Sequence, residues 1–171
     1  MNHLCDAIEQ ALTASNWYAA LMVALTLPDI AGKIDDPQKA SGARYIDWVE
    51  KYLSPAYTNK IGFSGALHKF LSGGDCYALR CAFLHEGSDD VSKQRAAQAL
   101  EKFQLVAPRP RMLIHKNQAG KKLQLQVDVF CRDVVAAVKT WQSHIQLPDA
   151  TRLARLKALA EIHILDTSFS I

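Results

Sequence analysis

Arg80 and His85 stand five positions apart within the stretch GGDCYALRCAFLHEG, Gly73 to Gly87. A guanidinium presents a planar fork of donors that matches phosphate oxygens. An imidazole moves protons near neutral pH. Together they could hold a phosphate group and move a proton beside it. Such acid–base help is worth about 10²–10⁴-fold. On a straight helix at about 100° per residue the two positions lie roughly 140° apart. One helix alone would therefore not make a tight Arg80–His85 pair. A long Arg side chain, or a second copy of the helix brought face to face, could close the gap. The plain alternative makes Arg80 a surface residue paired with Asp75 or Asp89. His85 is then a helix-end cation favoured by the negative end of the dipole.

Other chemistries have thinner support. Cys76, Cys81 and His85 read C-x(4)-C-x(3)-H, whereas structural zinc uses closer cysteine pairs and a second pair. His68 and Cys131 are the only loose candidates for that second pair. Cys81 beside His85 and Arg80 could act as a nucleophile, but no third, orienting group is visible. The SGG at 72–74 lacks the Gly-Lys-Ser/Thr of a phosphate-binding loop. No metal and no cofactor are expected.

Charge is distributed unevenly. Lys102 to Val127 holds six Lys or Arg and no acidic residue, while the first fifty residues carry Asp6, Glu9, Asp29, Asp35, Asp36, Asp47 and Glu50 against three basic groups. The net charge of +3 is too small to imply nucleic acid by itself. Arg109, Arg111, Lys116, Lys121 and Lys122 could form a sequence-independent, salt-sensitive RNA-backbone surface. Lysines that keep an edge strand from pairing with other chains would explain the same residues.

Helical periodicity dominates the elements that must position these groups. Leu4, Ala7, Ile8, Ala11 and Leu12 predict a helix over about 3–14. NWYAALMVALTL is apolar nearly all round and reads as a central buried helix, with Pro28 near its end and GKIDDPQKASG as a polar loop. Tyr45, Trp48, Val49 and Tyr52 form the stripe of a third helix. FSGALHKFLSGG reads as a short helix or turn. Asp75 is the expected N-cap of the Arg80 helix and Gly87 its C′ residue, with Ala78, Leu79, Ala82 and Phe83 facing the core. SDDVSKQRAAQALEKF reads as another helix. Met112–His115 and Leu123–Val127, around KNQAGKK, predict a β-hairpin with Asn117 and Gly120 as turn formers. A long helix from Val127 to about Leu147 follows, then a helical tail at about 149–164 and a fraying LDTSFSI. Trp17, Tyr18, Trp48 and Trp141 all fit apolar stripes and read as core.

YALRCAFLHEG resembles the Arg-x(4–6)-His signature of HEPN domains (higher eukaryotes and prokaryotes nucleotide-binding), with Arg80, the apolar run 82–84, His85 and Gly87 in register. The residue after the Arg is commonly polar in that family, often Asn, and here it is Cys81. The resemblance implies a helical bundle, homodimerisation that brings two motifs to one cleft, and metal-independent RNA cleavage. In that chemistry the RNA 2′-hydroxyl is an internal nucleophile, Arg80 contacts phosphate and His85 handles protons. A protein antitoxin or other regulatory partner is also implied. The rival expectation is a catalytically silent helical interaction module.

The expected fold is all-α: one domain over 1–171, a HEPN-like bundle of five to six helices with a small β-hairpin near 110–127. At 49% apolar and 22% charged residues, the chain is ordinary for a globular protein of one domain. No run reaches the roughly 18 apolar residues of a membrane span. The N-terminus has no basic region like that of a secretory signal. Four scattered cysteines then read as reduced thiols in a cytosolic protein.

Overall fold

A computed structural model describes residues 1–145 and 149–162. Helix α1 (Asn2–Thr13) lays Cys5, Ile8 and Leu12 inward and is followed by Ser15 at φ 57°. The Asn16 side chain then accepts a hydrogen bond from Ala19 N and caps α2 (Trp17–Asp35). As its composition dictates, α2 is central. It packs against α1, the third helix α3 (Ser41–Tyr52) and a later helix α5 (Val127–Ile145). It does not end near Pro28, as expected, but continues through Gly32 to Asp35. Tertiary contacts explain the extra turns. Trp141 Nε1 donates to the Asp35 carboxylate at 3.0 Å, Arg152 pairs with the same carboxylate, and Arg155 donates to the Ile34 carbonyl. These bonds hold a segment that local sequence alone would leave as loop.

After α3 and a 3-10 turn (Ser54–Tyr57), the chain makes an antiparallel hairpin, β1 (Thr58–Ile61) with β2 (Ala66–Lys69). The stretch read as a short helix or turn is largely this hairpin. Gly62 at φ 66° and Gly65 at φ 62° permit its reversal. The site helix α4 (Gly73–Cys81) follows, running into a π turn (Ala82–Glu86).

The helix expected over 88–103 does not form. Polar side chains take its backbone donors instead. Asp90 Oδ1 accepts from Ser92 N, and the buried Asp75 carboxylate accepts from the backbone nitrogens of Gln98, Ala99 and Leu100 at 2.8–3.1 Å. The segment ends in a strand, β3 (Lys102–Val106). It pairs in parallel with β5 (Lys122–Gln126), whose other edge pairs antiparallel with β4 (Asn117–Ala119). The expected hairpin exists with a shifted first strand: Met112–His115 is loop. Arg111 and Lys116 take positive φ of 62° and 57°, and Gln126 Oε1 accepts from Ile114 N.

The all-α expectation is therefore corrected. Six α-helices among the described residues share the molecule with a two-stranded and a three-stranded sheet, a mixed α/β architecture. Phe103, Leu123 and Leu125 of the larger sheet join the same buried cluster as Leu21, Leu25, Trp48, Leu79, Phe130 and Trp141. Helix α5 buries Val127, Phe130, Cys131, Val134, Val138, Trp141 and Ile145 at helical spacing. Helix α6 (Ala150–Lys157) begins at an Asp149 cap. The expected fraying end, 165–171, lies outside the described residues. No described helix is long and apolar enough to cross a membrane.

Candidate functional site

Helix α4 starts where no side chain could fit. A Cβ on Gly73 would come within 2.6 Å of the Ile46 carbonyl, and one on Gly74 within 2.5 Å of the Ala96 carbonyl. The glycine pair seats the first turn between α3 and the 96–98 segment. Its N-cap is Ser72 and not the expected Asp75: Ser72 Oγ accepts from Asp75 N at 3.0 Å and donates to Asp75 Oδ2 at 2.6 Å. Asp75 is 1% exposed and serves as the anchor for 98–100. It is not available to Arg80. Ala78, Leu79 and Ala82 are fully buried, as the periodicity required, while Phe83 is only half-buried.

Arg80 and His85 meet on a single chain. Arg80 Nη1 lies 2.8 Å from His85 Nε2, and Arg80 Nε donates to Asp29 Oδ2 at 2.8 Å. The straight-helix geometry that kept the pair apart does not apply, because Ala82–Glu86 is a π turn. Hydrogen bonds closed over five residues bring positions i and i+5 toward one line. Gly87, at φ 63° and ψ 23°, then stops the helix in the left-handed conformation expected of it. An Arg can only donate. The bond therefore needs a lone pair on Nε2, which places the His85 proton on Nδ1.

The surroundings of the pair are graded. His85 is exposed, whereas the Arg80 and Asp29 side chains are only 21% and 16% exposed. Partial burial works against the Arg80 charge, and Asp29 with Cys81 more than offsets it, holding the guanidinium charged. Asp29 in turn accepts from Ser41 Oγ at the start of α3. Tyr77 lies under the guanidinium, 6.0 Å from ring centroid to Cζ. Burial leads the causes that push its phenol above the ordinary value.

Beside the π turn opens a cleft of about 620 Å³, walled by Trp17, Tyr18, Phe83, Gly87, Asp89 and Leu105. The Tyr18 and Phe83 rings are nearly parallel, at 16°, with centroids 6.4 Å apart. Tyr18, expected in the core, is 72% exposed, and Trp17 is half-buried; Trp48 and Trp141 are core as expected. The cleft is aromatic rather than basic.

The basic residues divide. Arg109 and Arg111 are exposed on the loop after β3, and Lys122 is exposed on β5. Lys121 is paired with Glu101 at 2.5 Å. Lys116 donates to the Ala56 carbonyl and lies over the Tyr57 ring. Among the described residues, no hydrogen bond or ion pair joins any of the five to Arg80 or His85.

Burial also separates the cysteines. Cys76 is fully buried against the Tyr45 hydroxyl, and burial pushes its thiol up to about 12. Cys131 is pushed up to about 12 by the same cause. Cys81 is half-buried. Among the described residues, no three His, Cys, Asp or Glu side chains gather in a way that could hold a metal ion.

Sequence reasoning missed Asp29, the π turn and the aromatic cleft. Asp29 is 51 positions from Arg80, and no local pattern links them. The π turn had a trace in the Arg–His spacing itself, one residue longer than the four at which helix side chains are neighbours. No family model, curated protein or solved structure matches the chain.

Proposed function

We propose that the chain is a HEPN-like, RNA-acting protein of the cytosol, a metal-independent endoribonuclease whose site is completed in a homodimer. The observation that carries this reading is the Arg80–His85 contact: a charged donor and a proton-accepting nitrogen, 2.8 Å apart and open to solvent at His85. Two of the five N–H groups of Arg80 are committed, to Asp29 and His85. The remainder can take a phosphate. A phosphate that draws Nη1 onto itself frees the Nε2 lone pair. His85 then accepts the 2′-hydroxyl proton as the 2′-oxygen bonds to phosphorus. The bond from phosphorus to the 5′-oxygen breaks, and that oxygen leaves with a proton from the same group on a second copy. A 2′,3′-cyclic phosphate and a 5′-hydroxyl result. Arg109, Arg111, Lys116, Lys121 and Lys122 would supply backbone contacts away from the reacting atoms, and a protein antitoxin would act by covering the site.

A second reading has its own observation. Phe63 is fully exposed at the tip of the β1–β2 hairpin, Leu67 is 73% exposed beside it, and Leu113 is 71% exposed on the 107–116 loop. Exposed apolar groups of this size suit contact with another protein, which favours a silent interaction module.

Cleavage of a mixed RNA pool in EDTA separates the two. Wild-type cleavage that yields cyclic-phosphate ends and is lost in both His85→Ala and Arg80→Ala, with folding intact, supports the ribonuclease. A folded, dimeric wild type that leaves RNA uncut moves the reading to the interaction module.

A further inference from the structure

The cleft beside the π turn has no part in the proton transfer assigned to Arg80 and His85. Its volume of about 620 Å³ falls within the roughly 300–1,000 Å³ of small-molecule sites. Its walls tie it to the pair. Phe83 stands between Arg80 and His85 in the sequence, and Gly87 and Ser88 close the same turn. Tyr18 leaves 72% of its surface in solvent and lies nearly parallel to Phe83, at 16°. An open aromatic face of this kind suits stacking on a flat heterocycle, as single-stranded RNA offers once its bases unstack.

The polar groups choose among heterocycles. Asp89 is the one charged residue of the wall among the described residues. A wall with a carboxylate and no cation disfavours phosphate, so the cleft suits the uncharged part of a nucleotide and leaves the phosphate to Arg80. Lys102 approaches Asp89 Oδ1 only to 3.5 Å, in an exposed pair, and Asp89 Oδ2 has no partner among the described residues. Gln104 accepts from Gln124 Nε2 through its Oε1, and its own amide N–H groups have no partner among the described residues. A carboxylate only accepts, through two oxygens. Of the four RNA bases, guanine alone sets two donors side by side, N1–H and the N2 amine. Adenine and cytosine put a ring-nitrogen acceptor beside their amine, and uracil flanks its single N–H with carbonyls. Guanine O6, next to N1–H, matches the free amide of Gln104.

We propose that this cleft binds a guanine base, that of the nucleotide whose 2′-hydroxyl attacks. The base stacks on Tyr18 and Phe83 and donates to Asp89 from N1–H and the N2 amine. The proposal deepens the ribonuclease reading and rests on it for the phosphate at Arg80.

The test follows the Trp17 indole in a ¹H–¹⁵N spectrum of the whole chain, since Trp17 lines the cleft. The chain has three tryptophans, and the Trp17 signal is the one lost in Trp17→Phe. The 3′-monophosphates of guanosine, adenosine, cytidine and uridine are titrated separately, with inorganic phosphate as a fifth titrant. The expected result is a saturable shift, tighter for the guanosine nucleotide by about fivefold or more, as a bidentate pair gives. Tyr18→Ala should weaken its binding about 5- to 150-fold, the range spanned by base stacking on an aromatic ring. Asp89→Asn keeps the shape but gives up one acceptor. It should bring the guanosine nucleotide to the affinity of the adenosine one and leave the latter unchanged. Cuts in the mixed RNA pool should fall after guanosine. No saturable shift, equal affinity for all four nucleotides, or a shift that inorganic phosphate reproduces overturns the base site even where RNA is cut. Guanosine-selective binding with RNA left uncut overturns the cleavage step alone and supports the base site.

Discussion

Asp29 and Asp35, six residues apart in the C-terminal half of α2, face two different polar arrangements. At Asp29 the charges are satisfied by one another: carboxylate to guanidinium, guanidinium to imidazole, with the last group in solvent. Near Asp35, whose carboxylate holds Trp141 Nε1 and Arg152, Arg44, Trp48 and Tyr52 keep buried donors without partners among the described residues. A satisfied and exposed pair is ready to exchange partners, because water or substrate can replace each bond as it breaks. A buried set of lone donors is a standing cost to stability. The first arrangement suits turnover and the second does not.

The largest effect expected from breaking this contrast is at His85. If the pair turns over RNA, His85→Ala should lower cleavage about 10²–10⁴-fold, read as initial rates in EDTA. Asp29→Asn should cost less, on the order of tenfold, since it only positions Arg80. The loss should fall on kcat rather than KM, and Asp29→Glu should recover part of it. A structural role alone would not give that split.

The contrast between paired and lone donors has a matched test in stability. Trp141→Phe and Trp48→Phe remove the same atoms from buried sites, but among the described residues only Trp141 Nε1 has a protein partner. Trp141→Phe should therefore cost roughly 1 kcal/mol more, read as denaturant midpoints.

The smallest effect concerns Glu50, which accepts from Gly73 N and Lys69 Nζ, both at 2.6 Å, and so ties α3 to the start of α4. Burial works against its charge, but these two donors outweigh it and hold the carboxyl below its ordinary value. A lowered folded-state value gives stability that is present above the unfolded value of about 4.5. That stability is lost as pH falls through the folded one. Glu50→Gln should lower the melting temperature slightly at neutral pH and flatten its decline in acid.

Sequence periodicity located α1, α3, α5 and the core face of α4 because each buries a stripe that repeats every turn. It failed where distant groups decide. The last turns of α2 depend on Trp141, Arg152 and Arg155, more than a hundred positions away. The 88–103 segment has a helix-compatible composition, yet Asp75 captures its backbone nitrogens and β5 draws its end into a sheet. At the site, the residue types of Arg80 and His85 were legible and their contact was not. The lone donors of α3 left no trace, since Arg44, Trp48 and Tyr52 look like the ordinary residues of an amphipathic helix.

The π turn has a consequence for what counts as an equivalent sequence. A π turn behaves as an α-helix that has absorbed one inserted residue. Deleting Leu84 would leave the guanidinium and imidazole four positions apart, the spacing at which an unbroken α-helix already makes them neighbours. Two chains that differ by that one insertion would present the same pair to solvent, one from a regular helix and one from a widened turn. Spacing alone would sort them into different groups, although the geometry makes them interchangeable.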